Sequence, residues 1–571
     1  MQSAHSCSGR PNEELISVTV IGDVDIRGRG ASVSESTGPD RPFPVRSYES
    51  YIGDRDVPGS GWVYTVSARS LLEDVFTSVS LKRTLEQDPD SPAANHPYVV
   101  GRCAVASPAD LDAAVDAAAA AAPRWALVPL AERMRLGELF RAQLREHRET
   151  FLGMLMAEAH PRMLAEWELT CLEQVYSAES CGWYEQQMHA EFEHGPRQLT
   201  VRRSPDGVVC INPPQNAPAP SAALAVLALM AGNAVVVRAP RSIALSTMYT
   251  LRELVAPVLR EVGAPPGTLN VVCSKPQQTI DRWLAHADVD DIMYFGGSEE
   301  GLHFERECVA RGKKPILELA GNDGLVVWRD ADLDMAAEAI TECFYGSGQI
   351  CMVPNYVLVH PAVADELLDR VREQALEVRP GYPEDDGVLL SPVRRSEKFF
   401  ALLNQALGLG AELVCGGQRT ELDGTPSDTG VFLQPTVVRV DGLTDARRMD
   451  VVKHETFFPL IPVVVAERAP DDELLDRFVS FVNSNVYGLR NSLWTRSSAV
   501  IDHVVSRLHN GGLLKVNDSH IGFLPYLPSH GGTGLTGGAF GEANYPILKT
   551  SHLQGVSISA GVRPRTAVFG G

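Results

Sequence analysis

The residue whose type and setting point most directly to chemistry is Cys351, in the run YGSGQICMVPNY at 345–356. It lies between a helical stretch and an apolar, strand-like run, and the glycines at 346 and 348 let the backbone approach a ligand closely. A thiol at such a boundary suits a nucleophile. A free cysteine is also commonly a small buried hydrophobe, and the segment alone leaves both readings open. Glu318 sits between two leucines in KKPILELAGN at 313–322. Burial there would raise its pKa and make it a usable base near neutral pH. A strand-end carboxylate facing water is the alternative. Asn216, in CINPPQNAP at 210–218, is held in a segment stiffened by prolines. Its amide suits donation to a developing oxyanion, although a turn asparagine looks the same in sequence. Finally, FGGSEEG at 295–301 follows a strand and opens a helix. Backbone N–H groups there, after Gly296 and Gly297, can seat a pyrophosphate. The run lacks the full G-x-G-x-x-G fingerprint.

These residues need elements to position them. SPADLDAAVDAAAAAA, from Ser107, reads as a helix with Ser107 as N-cap and acidic residues in its first turns. Two further helical stretches follow at 131–146 and 164–188. Between 207 and 301 the pattern alternates strand and helix, with SAALAVLALMAG as an apolar helix closed by Gly232 and NAVVVRAP as the next strand. Such alternation argues for a parallel sheet with helices on both faces. The second half repeats it through LVVW, YVLVHP, FLQPTVVRV and FPLIPVVVAER. The expected fold class is therefore α/β, in two α/β halves. Residues 1–45 read as an extension, strand-like at SVTVIGDVDI and then turn-rich.

The bulk numbers narrow the function. The chain has 571 residues, 72 acidic and 51 basic, for a formal net charge of -21. That balance repels phosphate backbones, so nucleic acid is not an expected partner. Ten cysteines fall at irregular spacings with no Cys-x-x-Cys pair, which argues against a zinc site and a disulfide framework. No metal is expected, and reduced thiols suit a cytoplasmic protein. The start is polar, without the apolar core of a signal peptide. The most apolar stretch, 222–237, is interrupted by Gly232 and Asn233 and is not read as a membrane span.

Taken in order, NPPQNAP, AGNAVVVRAP, FGGSEEG, LELAGN, GSGQIC, HETFFP and NSNVYGL strongly resemble the aldehyde dehydrogenase superfamily, from about Tyr48 to about Ile558. The resemblance implies a Rossmann-like cofactor domain (46–190 and 206–317), an α/β catalytic domain (318–545) and a small β oligomerisation arm (191–205 and 546–571). It implies NAD or NADP as cofactor, and a homodimer or homotetramer. Residue by residue, it makes Cys351 the nucleophile, Glu318 the general base and Asn216 the oxyanion donor. It places Arg238 at the adenosine ribose, Gly297 and Gly301 at the pyrophosphate, and Glu455 at the nicotinamide ribose beside Phe457. Trp183 and Tyr184 match a stretch lining the substrate entrance. The implied reaction oxidises an aldehyde to its acid through a cysteine thiohemiacetal and thioester.

Several positions depart from the family pattern. The segment around Asn216 lacks the usual aromatic residue, which leaves room there. Arg238 replaces a lysine, and Arg241 stands where NAD-preferring members often carry a glutamate. Two arginines would attract a 2′-phosphate, which tips the expectation towards NADP. The loop VNDSHIGFLPYLPSHGGTG would offer Asp518, Ser519 and His520 to substrate. The expected substrate is a small polar or anionic aldehyde. A CoA-acylating dehydrogenase and a non-catalytic relative are the alternatives, and the presence of Glu318 weighs against the first.

Overall fold

The computed structural model describes residues 44–528, 530–539 and 543–569; the strand-like segment at 17–26 lies outside them. Two seven-stranded sheets dominate. The first runs, in spatial order, Lys314–Glu318, Asp291–Phe295, Val208–Asn212, Ala234–Pro240, Leu269–Ser274, Ser50–Ile52 and Arg55–Val57. Its first five strands pair in parallel, and the last two add antiparallel at the edge. These central strands are buried on both faces, as their near-continuous Val and Ile content requires. The order reverses beside Val208–Asn212, which is flanked by one strand that follows it directly and one that comes much later. Ligands bind outside the carboxyl ends of strands at such a switch point. Asn212 and Phe295 end the two strands there.

The second sheet runs Glu412–Cys415, Thr436–Asp441, Leu460–Val465, Pro354–Val359, Asp323–Val327, Arg490–Trp494 and Leu513–Val516. Only the first strand is antiparallel to its neighbour. Cys351 precedes one of its strands by three residues, and Glu455 and Phe457 precede another. This half therefore presents the amino ends of its strands to the site, opposite the carboxyl ends of the first sheet. A three-stranded antiparallel sheet, His189–His194, Arg197–Pro205 and Ser551–Ser559, joins the two distant segments expected to form the arm.

Local chemistry explains the helices that matter. Ser107 caps Pro108–Trp125, and Asp110 completes a reciprocal capping box. Gly232 closes Ala225–Ala231 in the left-handed region at φ 108°. The stretch expected as one helix over 164–188 is two, Arg162–Val175 and Ala178–Met188, because Ser177 turns and caps a new start. No described helix is long and apolar enough to cross a membrane.

Candidate active site

Glu318 ends a strand of the first sheet, Cys351 precedes a strand of the second, and the two meet. The Cys351 thiol donates to Glu318 Oε1 at 3.3 Å. Two close approaches make this possible. A Cβ on Gly321 would fall 2.0 Å from the Cys351 carbonyl, and one on Gly348 would fall 2.2 Å from the Phe458 carbonyl. The loop before the cysteine also holds Gly346, Ser347 and Gly348 at φ 58°, 59° and 71°. For Ser347 that is a strained backbone, fixed by its hydroxyl donating to the Ser391 carbonyl.

Burial sets the electrostatics. Glu318 is 4% exposed, and loss of hydration pushes its carboxyl up to about 7. The Cys351 hydrogen bond, the Arg490 charge and the Gly531 backbone hold it back from rising further. Cys351 is raised well above the ordinary thiol value, first by burial and then by the carboxylates of Glu318 and Glu455. The resting pair is a thiol facing a carboxyl that titrates near neutrality. Asn216 lies beside them: its Nδ2 donates to the Gln349 carbonyl at 2.9 Å, and its own carbonyl meets His160 Nε2 at 2.9 Å. An amide nitrogen carries two hydrogens, so one remains to serve another acceptor.

A cavity of about 1300 Å³ contains Cys351, Glu318 and Asn216 and continues to the switch point of the first sheet. Gly296 and Gly297 line it at the start of the helix Ser298–Ala310, which has no side-chain cap and so leaves backbone N–H groups open to a ligand. Glu455 also lines it and accepts from the Gly321 N–H at 3.0 Å; burial raises its carboxyl to about 8. Phe457 completes that side in the left-handed region at φ 61°. An uncapped helix start at a switch point, a carboxylate further along and this volume together fit a dinucleotide.

Other expected site residues are placed differently. Gly301 is not on the cavity wall. A Cβ there would come within 2.1 Å of Leu319 Cδ2, so this glycine serves close packing of the helix against the residue after Glu318. Arg238 lines the cavity but is 3% exposed, and all three guanidinium nitrogens donate inward, to Asn212 and to the carbonyls of Ser274 and Pro213. Arg241 lies outside the cavity lining, in electrostatic reach of Lys82. The charge argument for a 2′-phosphate therefore loses both of its arginines.

Trp183 and Tyr184 also lie outside the cavity. Trp183 packs on Tyr545, ring centres 4.8 Å apart, because the break at Ser177 turns their helix away. The preceding helix supplies the wall instead, with Leu164, Trp167, Glu168, Cys171 and Leu172 at spacings of three and four. That periodicity was visible in LAEWELTCLEQV. Ser519 donates to Glu342, and His520 is fully buried against Ser492 at 2.6 Å. Both knit the loop to the second sheet rather than facing substrate. From the same loop Phe523 and His530 line the cavity.

Comparison with known proteins agrees with this geometry. The Aldehyde dehydrogenase family model matches residues 86–550. The benzaldehyde dehydrogenase [NAD(+)] of Pseudomonas putida is 29% identical over 78% of this chain and 88% of its own length. The vanillin dehydrogenase of Corynebacterium glutamicum is 30% identical over 76% and 87%. Among solved structures, an NAD-dependent aldehyde dehydrogenase from Sinorhizobium meliloti superposes with a TM-score of 0.76, at 24% identity, covering 93% of this chain and 98% of that one. Matched over most of its length, the chain belongs to the aldehyde dehydrogenase family, the NAD- or NADP-dependent oxidoreductases that oxidise aldehydes to acids.

Proposed function

We propose that Cys351 is the nucleophile, Glu318 the base and Asn216 the oxyanion donor in oxidation of a small polar aldehyde to its carboxylic acid. The observation that carries this is the 3.3 Å contact between the Cys351 thiol and Glu318. Glu318 takes the thiol proton, and the thiolate attacks the carbonyl carbon. The free Asn216 amide hydrogen steadies the oxyanion, a contact worth roughly 3–4 kcal/mol. NAD(P), when bound, supplies the hydride acceptor. Glu318 releases the thiol proton to solvent and, again a carboxylate, deprotonates the water that hydrolyses the thioester left on Cys351 and frees the thiolate. Gly296, Gly297, Glu455 and Phe457 hold the cofactor.

The polar end of the substrate faces Trp167, Glu168, His160 and Gln215. Trp167 Nε1, Glu168 Oε2, His160 Nδ1 and Gln215 Oε1 are buried there with no hydrogen-bond partner among the described residues. Such groups cost stability unless a ligand satisfies them. A buried carboxyl at Glu168 disfavours an anionic substrate and favours a hydrogen-bond donor such as an amine. Relatives of 27–28% identity are named betaine aldehyde and aminoaldehyde dehydrogenases, in keeping with that chemistry. NAD is the preferred cofactor, since Arg238 spends its guanidinium donors on Asn212, Ser274 and Pro213 and Arg241 lies outside the cavity lining. The arm sheet joins subunits into a homodimer or homotetramer.

The deciding experiment follows NADH and NADPH formation with amine-bearing, apolar and anionic aldehydes, in wild type and Cys351→Ala. Reduction with amine-bearing aldehydes and NAD, abolished in the variant, is expected. Activity that survives Cys351→Ala would refute the mechanism. Turnover only when CoA is added would replace hydrolysis by acyl transfer.

A further inference from the structure

The second sheet buries an arginine beside the reacting pair. Arg490 opens the strand Arg490–Trp494 and is 2% exposed. Its backbone N–H donates to Asp323 Oδ1 at 3.1 Å, and its Nη1 to the His520 carbonyl at 3.1 Å. The guanidinium lies 5.0 Å from the centre of the Phe523 ring, and that ring lines the cavity with Cys351 and Glu318. Leu489, the residue before it, shares a small apolar cluster with Ile350, Met352 and Cys351. The sequence directs the arginine there. It follows NSNVYGL immediately and opens a strand that pairs with Asp323–Val327.

The charges around it form one group. Cys351 touches Glu318 and lies within electrostatic reach of Glu455 and Asp323; Arg490 lies within electrostatic reach of Asp323, Glu318, Cys351 and Cys171. Lys515, His520 and His530 also lie within its electrostatic reach, and burial keeps both histidines neutral. The buried carboxyl groups of Glu318 and Asp323 and the half-buried one of Glu455 thus lie near the thiol, and each makes a thiolate harder to form. A buried guanidinium is always charged and too costly to keep without opposite charge nearby.

Resting on the reading of Cys351 and Glu318 as the reacting pair, we propose that Arg490 is a positioning residue. Its fixed charge offsets the nearby carboxylates, so that the Cys351 thiolate and the Glu318 carboxylate can form inside the cavity. It does not touch substrate. It acts through the pair, and through Phe523 it also orients the aromatic wall.

The test is the pH dependence of Cys351 alkylation by iodoacetamide, with the modified cysteine identified by mass spectrometry and Cys351→Ser as blank. Wild type is compared with Arg490→Lys, Arg490→Met and Arg490→Gln, each checked for native melting. In the neutral variants the alkylation midpoint should rise by about one pH unit or more, and Arg490→Lys should restore most of it. A merely structural arginine would lower the melting temperature and leave the midpoint in place, which overturns the proposal. Should both neutral variants fail to fold, Arg490→His takes their place: a buried imidazole is neutral, so its midpoint must lie above that of Arg490→Lys, and equal midpoints overturn the proposal. If instead catalysis survives Cys351→Ser, the reading of the pair is lost, whereas an unmoved midpoint in a Cys351-dependent enzyme sinks only the role of Arg490.

Discussion

At the scale of single residues, Glu318 carries the sharpest consequences. Its carboxyl titrates near 7 in the folded protein and near 4.5 when exposed. As a base it works above pH 7 and fails below, so thioester hydrolysis should fall as pH drops through about 7. Its effect on stability has a definite sign. Because the folded value is raised, the ionised form costs stability from about pH 5 upward and in full above 7. Glu318→Gln should therefore melt higher than wild type at pH 8, by an amount on the order of 3 kcal/mol, and equally at pH 5. The same variant should lose both steps that need the base: the burst of NADH slows because Gln cannot take the thiol proton, and turnover falls about 10²–10⁴-fold. A steady rate without a burst defect would show that another group activates water.

At the scale of elements, the helix Ser298–Ala310 does two jobs that conflict. Its start faces the cavity, and its first turn carries Glu299 and Glu300. Acidic residues there stabilise the helix but oppose a pyrophosphate at the same N–H groups. Glu300→Gln should tighten NAD binding about two- to five-fold in a fluorescence titration, at little cost in stability; unchanged affinity would place the pyrophosphate elsewhere. Gly301, one residue on, sets how closely the helix lies against Leu319. Gly301→Ala must push the two apart, and urea unfolding should report a loss of about 1–3 kcal/mol.

At the scale of the whole molecule, the three-stranded arm sheet stands out from the two large ones. It exposes apolar side chains at Phe192, Val201, Leu553 and Ile558, with Leu553 at 64% and Ile558 at 59%. Large apolar groups left open on a thin sheet mark an interaction surface. The double variant Leu553→Glu and Ile558→Glu should lower the mass measured by light scattering to that of a smaller species. A wild type that is already monomeric would remove the arm from any role in assembly.

How much of this was legible in the sequence depends on the range of the interaction. Alternating strands and helices, the Ser107 cap, the Gly232 stop and the ordered motifs around Asn216, Glu318 and Cys351 are local patterns, and spacing alone reveals them. What escaped depends on which way a side chain points once elements pack. A single break at Ser177 turned Trp183 and Tyr184 away and left Trp167 and Glu168 on the cavity wall. His520 and Phe523 share one loop, yet one is buried in a polar network and the other lines the cavity. Arg238 carries the right charge at the right place in the chain, but its donors are spent on Asn212, Ser274 and Pro213. Charge and residue type are set by the sequence itself; burial, partners and direction arise only when distant segments meet, and those decide what a residue can bind.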